Sequence, residues 1–98
     1  MGAIMTMTLF DIIKDLDGID ESGTIYMKEP WTCDSMAIVA IEPDSGGLPN
    51  EARALGLSYF IEIAIARDFL SDWAATLPVT PTMQEQCERL IKYAINDA

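Results

Sequence analysis

Leu57-Ser58-Tyr59-Phe60-Ile61-Glu62-Ile63-Ala64-Ile65-Ala66-Arg67-Asp68-Phe69-Leu70-Ser71-Asp72-Trp73-Ala74-Ala75-Thr76-Leu77 changes its hydrophobic period part-way along. Tyr59, Ile61 and Ile63 alternate, and aromatic and β-branched residues suit a pleated surface, so residues 57–63 read as a strand. Ile65, Phe69, Trp73 and Leu77 then recur every fourth residue, which predicts a helix from about residue 65 to 76 that stops before Pro78. The changeover falls near Ala64 to Ala66. One segment therefore asks for both a sheet and a helix.

Upstream, Met36-Ala37-Ile38-Val39-Ala40-Ile41 is a continuous apolar run of strand length, which predicts a strand covered on at least one face. Thr24-Ile25-Tyr26-Met27 is a shorter β-prone run, followed by Lys28-Glu29-Pro30-Trp31-Thr32, where Pro30 bends the chain and keeps Glu29 out of the helical region. Before it, Thr8 is an N-cap with Asp11 three residues on, and Leu9, Ile12, Ile13 and Leu16 share one helical face. Asp17-Gly18 ends that helix, with Gly18 suited to a left-handed C-terminal residue. Downstream, Pro43-Asp44-Ser45-Gly46-Gly47-Leu48-Pro49 is a loop, and Asn50 to Leu55 makes a helical turn capped by Asn50 and stopped by Gly56. Thr82-Met83-Gln84-Glu85 is a capping box that opens a last helix, with Cys87, Leu90, Ile91, Ala94 and Ile95 on its apolar face. The order αβββαα, with links too short for parallel crossovers, predicts an α+β domain. Its three-stranded antiparallel sheet carries helices packed mainly on one face. All 98 residues fit one domain, with residues 1–7 read as a flexible leader.

Composition narrows the chemistry. Sixteen acidic residues against six basic ones leave a net charge of −10, which excludes nucleic acid and anionic membranes as natural partners, since both call for a basic surface. No histidine is present, so Ser-His and Cys-His pairs and imidazole-ligated metals are excluded. The apolar stretch from Leu57 to Ala66 is far shorter than the roughly 20 residues of a membrane span. The first residues carry no positive charge ahead of the apolar ones, which argues against a secretory signal and for a cytoplasmic protein. Met1-Gly2 with Thr6 matches a loose myristoylation pattern, but one acyl chain anchors marginally without a basic patch, so Met5 or Met7 as an alternative start is the favoured reading. Cys33 and Cys87 read as buried thiols rather than a disulfide, and Asp34 beside Cys33 disfavours a thiolate nucleophile. No cofactor or metal is expected. Asp15-x-Asp17-Gly18-x-Asp20 lacks the ligand spacing of a calcium loop.

What remains is an acidic surface. Asp11, Asp15, Asp17, Asp20 and Glu21 stand against Lys14 alone within eleven residues, a net of −4. Glu42 and Asp44 flank the Gly-rich loop and could extend that patch. Trp31 is either a lid on the core or an anchor for a partner. Asp68 and Asp72 form an i, i+4 carboxylate pair, read as lying on a face away from Phe69 and Trp73. They could act as paired carboxylates in acid–base work, but nothing beside them in sequence supplies an oxyanion hole, a nucleophile or a metal partner, which favours a solvated face.

Leu9-Phe10-Asp11, Glu29-Pro30-Trp31-Thr32 and Cys87-Glu88-Arg89-Leu90-Ile91-x-Tyr93-Ala94 together resemble a small bacterial domain family without assigned chemistry. In size, acidity and lack of catalytic residues the chain is also similar to small acidic bacterial immunity proteins, inhibitors of secreted or contact-dependent toxins. Those proteins share a role rather than a fold, so no residue's part is carried over from them. The resemblance implies a non-catalytic binder of a basic protein, a toxin domain and most readily a nuclease; the clustering of acids and the exposed-anchor reading of Trp31 make Asp11, Asp15, Asp17, Asp20, Glu21, Glu42, Asp44 and Trp31 the expected partner-binding residues. Two other readings remain: a structural or regulatory subunit acting through an apolar face around Trp31 or Trp73, and a small carboxylate-dependent enzyme.

Overall fold

The structure, a computed structural model, describes residues 7–97, with side chains for 7–96. A four-stranded antiparallel sheet runs in the order β1-β3-β2-β4, built from β1 (Met7–Thr8), β2 (Thr24–Met27), β3 (Met36–Ala40) and β4 (Ser58–Glu62). The three strands expected from the sequence are its body. The fourth is the two-residue β1, which pairs Met7 with Ala37 and Thr8 with Met36, so Met7 belongs to the sheet and not to a leader. Residues 1–6, the rest of that leader, lie outside the described residues.

Helix α1 (Leu9–Lys14) follows β1 directly. Thr8 Oγ1 accepts from the Asp11 amide at 3.2 Å, and the Asp11 carboxylate accepts from the Thr8 amide at 3.2 Å, a reciprocal cap. Two more free amides of the first turn are met by the β2–β3 connection: Leu9 N–H donates to the Ser35 carbonyl and Phe10 N–H to that of Cys33. The helix ends sooner than the apolar pattern suggests. Asp15 closes it, and Leu16–Gly18 is a turn of 3₁₀ helix in which Leu16 still reaches the core. Gly18 is not left-handed; among the described glycines only Gly46 and Gly56 have positive φ. A tighter turn keeps Leu16 buried while the chain swings toward β2, and no left-handed stop is needed.

Opposite faces of the sheet have different covers. Ile25, Met27, Ala37, Phe60 and Ile61 meet α1, α3 (Ile63–Ala75) and α4 (Met83–Asp97) in the main core, through Leu9, Ile12, Ile13, Leu16, Ile63, Ala66, Leu70, Cys87, Leu90 and Ala94. On the other face Tyr26 and Ile38 pack with Ala52 and Leu57 beneath α2 (Asn50–Leu55). With both faces covered, all four residues of β2 are buried. Pro49, and not Asn50, occupies the cap position of α2; Gly56 ends that helix at φ 70°, where any other residue is strained.

A β-bulge in β4 reconciles two cores with one strand. Ile25 pairs with Ile61 and Tyr26 with Tyr59, leaving Phe60 as the extra residue. Phe60 and Ile61 therefore both enter the main core, while Tyr59 turns to the other face and meets Tyr26 edge-on at 6.1 Å. Strict alternation of Tyr59, Ile61 and Ile63 is thus broken. Helix α3 then begins at Ile63 without a connecting loop, two residues before the periodicity suggests. Its first amide donates to the Gly23 carbonyl at 3.0 Å, a partner supplied by the turn before β2.

Candidate functional site: the acidic turn and the outer face of α3

Every described Asp and Glu whose side chain is placed is exposed. The cations available to them are few and badly positioned. Among the described residues, the ion pairs are Arg67 with Asp17 at 4.0 Å and Arg67 with Glu21 at 3.7 Å. Such exposed pairs contribute about 0–1 kcal/mol, so the main role of Arg67 lies elsewhere. Its guanidinium donates to the carbonyls of Leu16 (3.0 Å) and Ile19, fastening the turn before β2 to α3. Arg67 is thus the anchor of a turn that carries Asp15, Asp17, Asp20 and Glu21. Within that turn the Ser22 amide and hydroxyl both donate to Asp20 at 2.9 Å, and these bonds hold its carboxyl below the usual range, with Arg67 adding a smaller pull.

The eight residues expected to contact a partner fall in three places. Asp15, Asp17, Asp20 and Glu21 share the turn beside Arg67, and Asp15, Asp17, Arg67 and Asp68 line one groove with Lys14. Asp11 lies at the other end of α1, committed to its cap and next to the connection that holds Trp31. Trp31 is half-buried against the main core, its ring edge-on to Phe60 at 4.9 Å. This is the lid position. Glu42 lies beyond β3 on the face covered by α2, close enough to Tyr26 and Tyr59 to raise the pKa of both, after the larger effect of burial. Asp44 belongs to the same loop, in a turn closed by the Gly46 amide donating to the Pro43 carbonyl.

Helix α3 supplies residues that the period analysis misplaced. Its buried stripe is Ile63, Ala66 and Leu70. The stripe at 65, 69 and 73 lies to one side: Ile65 is 39% exposed, while Phe69 and Trp73 are half-buried. Together with Tyr93 of α4 they wall a shallow open cavity of about 480 Å³ that also takes in Asp68, Asp72 and Thr76. The aspartates thus share a groove with Phe69 and Trp73 instead of facing away from them. Phe69 stacks on Tyr93 with ring centroids 4.0 Å apart, and the Arg89 guanidinium lies 5.0 Å from the Phe69 ring centre. Because Asp68 lines both this groove and the one at the acidic turn, the two are adjoining parts of one surface. A helix with two apolar stripes, one more than its core contact needs, is the signal in the sequence that marks this face.

Cys33 and Cys87 are free and buried in the main core. Burial, and then contact with Cys33, pushes the Cys87 thiol far above the ordinary range, and so does nearby Glu88. Among the described residues, no three His, Cys, Asp or Glu side chains gather into a metal site, and no helix is long and apolar enough to cross a membrane. Compared with protein-family models, curated proteins and solved structures, the chain matches none.

Proposed function

We propose that this protein is a non-catalytic binder of a basic protein, of the immunity type, that neutralises a cationic toxin by covering its active surface. The observation that carries the reading is the acidic turn beside α3. Asp15, Asp17, Asp20, Glu21, Asp68 and Asp72 stand on adjoining exposed ground with Lys14 and Arg67, and Arg67 is engaged with backbone carbonyls. Spread evenly over 5996 Å² of surface, ten net charges would place about 1.3 in an ~800 Å² footprint. Six carboxylates less Lys14 and Arg67 leave a net of −4 on one side, about three times that figure, which suits electrostatic capture. A nuclease is the favoured target, because its phosphate-binding groove is the cationic surface that such a face can fill.

The test is capture of partners from source cells at low salt, repeated at high salt, with the Asp15→Asn/Asp17→Asn/Asp20→Asn/Glu21→Gln variant alongside. A basic protein retained at low salt, released at high salt and lost with the variant supports the reading, and inhibition of its nuclease activity by the wild-type chain identifies the target class. Retention unaffected by salt and by the variant would sink it. That outcome favours a regulatory subunit acting through the apolar walls of the α3–α4 groove, the second reading, for which the exposure of Ile65 speaks.

A further inference from the structure

The groove between α3 and α4 deepens the reading above, on which this inference rests, by giving the contact a specific chemistry. Its walls are Ile65, Phe69, Trp73 and Tyr93, and its charged members are Asp68 and Asp72, one helical turn apart. Carboxylates at i and i+4 have Cβ atoms about 5–6 Å apart, a separation that one forked cation can span. An apolar ligand would have to leave both carboxylates desolvated and unpaired, and a bare ammonium would gain little from the aromatic walls. A guanidinium satisfies both. It stacks flat on aromatic rings, is weakly hydrated, and presents several N–H donors in a plane. Arg89 shows the same chemistry within the chain: its guanidinium lies over Phe69, which is also stacked on Tyr93, so Trp73 is the ring left for an incoming cation.

We infer that the α3–α4 groove is the docking site for an arginine side chain of the basic partner, its guanidinium laid against Trp73 beside the Phe69–Tyr93 pair and hydrogen-bonded to Asp68 and Asp72. The acidic turn supplies long-range attraction, and the groove selects arginine over lysine once contact is made. Trp73 anchors the stack and the two aspartates fix its register.

Uniformly ¹⁵N-labelled protein, titrated at low ionic strength with acetylated tetra-arginine amide and separately with tetra-lysine amide, tests this. The expected result is saturable shifts at the Trp73 indole N–H and at amides of residues 65–76 and 89–93, with tetra-arginine binding several-fold tighter. Asp68→Asn/Asp72→Asn, both at exposed positions, should keep the spectrum's dispersion and weaken tetra-arginine binding by about tenfold or more, as expected for loss of two charge-assisted contacts. Trp73→Leu should remove the preference for arginine while leaving part of the affinity. Shifts confined to residues 15–21, equal affinity for the two peptides, or undiminished binding by the double variant would each overturn the groove assignment and leave the acidic-surface reading standing. Absence of shifts anywhere with either peptide would overturn both.

Discussion

Arg67 is the residue on which most depends. Its side chain is 28% exposed and holds two backbone carbonyls of the turn at 16–19, with Asp17 and Glu21 beside it. Arg67→Ala leaves those carbonyls without their donor and frees the surrounding carboxylates to repel one another. We expect a loss of about 1–3 kcal/mol in urea denaturation, smaller at 0.5 M salt because screening relieves the repulsion. Arg67→Lys should fall between, since an ammonium lacks the planar fork. An alkaline prediction comes from the groups whose pKa is raised. Burial lifts the Tyr26 and Tyr59 hydroxyls and the Cys87 thiol, so the folded state holds these protons more tightly than the unfolded chain. The associated stability is fully present below the unfolded pKa values, about 8.5 for Cys and 10 for Tyr, and is lost as pH rises beyond them. Urea midpoints followed from pH 8 upward should decline, and Tyr26→Phe should flatten part of the slope. An unchanged slope in that variant would show that Tyr26 ionisation does not control the decline.

At the scale of elements, how one begins and ends explains what the sequence revealed and what it hid. Both capping boxes were readable, because a cap is a contact between residues three apart: Thr8 with Asp11, and Thr82 with Glu85 at 2.8 and 3.1 Å. Thr82→Ala should cost about 1 kcal/mol, measured by thermal or urea unfolding. The start of α3 was not readable, because the Ile63 amide is satisfied by Gly23, forty residues away. Gly23 matters for a second reason. A Cβ there would lie 2.6 Å from Val39 Cγ1 and 3.3 Å from the Asp20 carbonyl oxygen, so Gly23→Ala forces the Val39 side chain or the turn to shift. The expected cost is about 1–3 kcal/mol, within the range for overpacking, and a stability within a few tenths of wild type would contradict the close approach. The bulge at Phe60 was hidden for the same kind of reason, since it is defined by pairing with Ile25 and Tyr26.

For the whole molecule, charge is the dominant variable. A net charge of −10 with every described carboxylate at the surface makes the folded chain repel itself. Raising salt from about 20 to 500 mM should stabilise it by roughly 1 kcal/mol, read as a higher melting temperature, whereas a flat response would mean that the acids are already compensated. Association with a cationic partner should show the reverse sign. Its on-rate should fall by tenfold or more over the same range, with dissociation changing much less, and a salt-independent on-rate would rule out steering by the acidic turn.

The amino-acid sequence alone determined the α+β class, the three main strands, two capped helices, the excess of acid and the absence of histidine chemistry. Each of these is a property of composition or of residues within a few positions of one another. Tertiary structure decided which acids stand together, that Trp31 packs on Phe60, and that Ile65, Phe69 and Trp73 wall a groove beside Tyr93 while Phe69 and Trp73 also pack against the core. Side chains twenty or eighty positions apart meet only when elements pack. A periodic pattern states that a helix has an apolar stripe, and the number of neighbours available to bury it decides whether that stripe becomes core or surface.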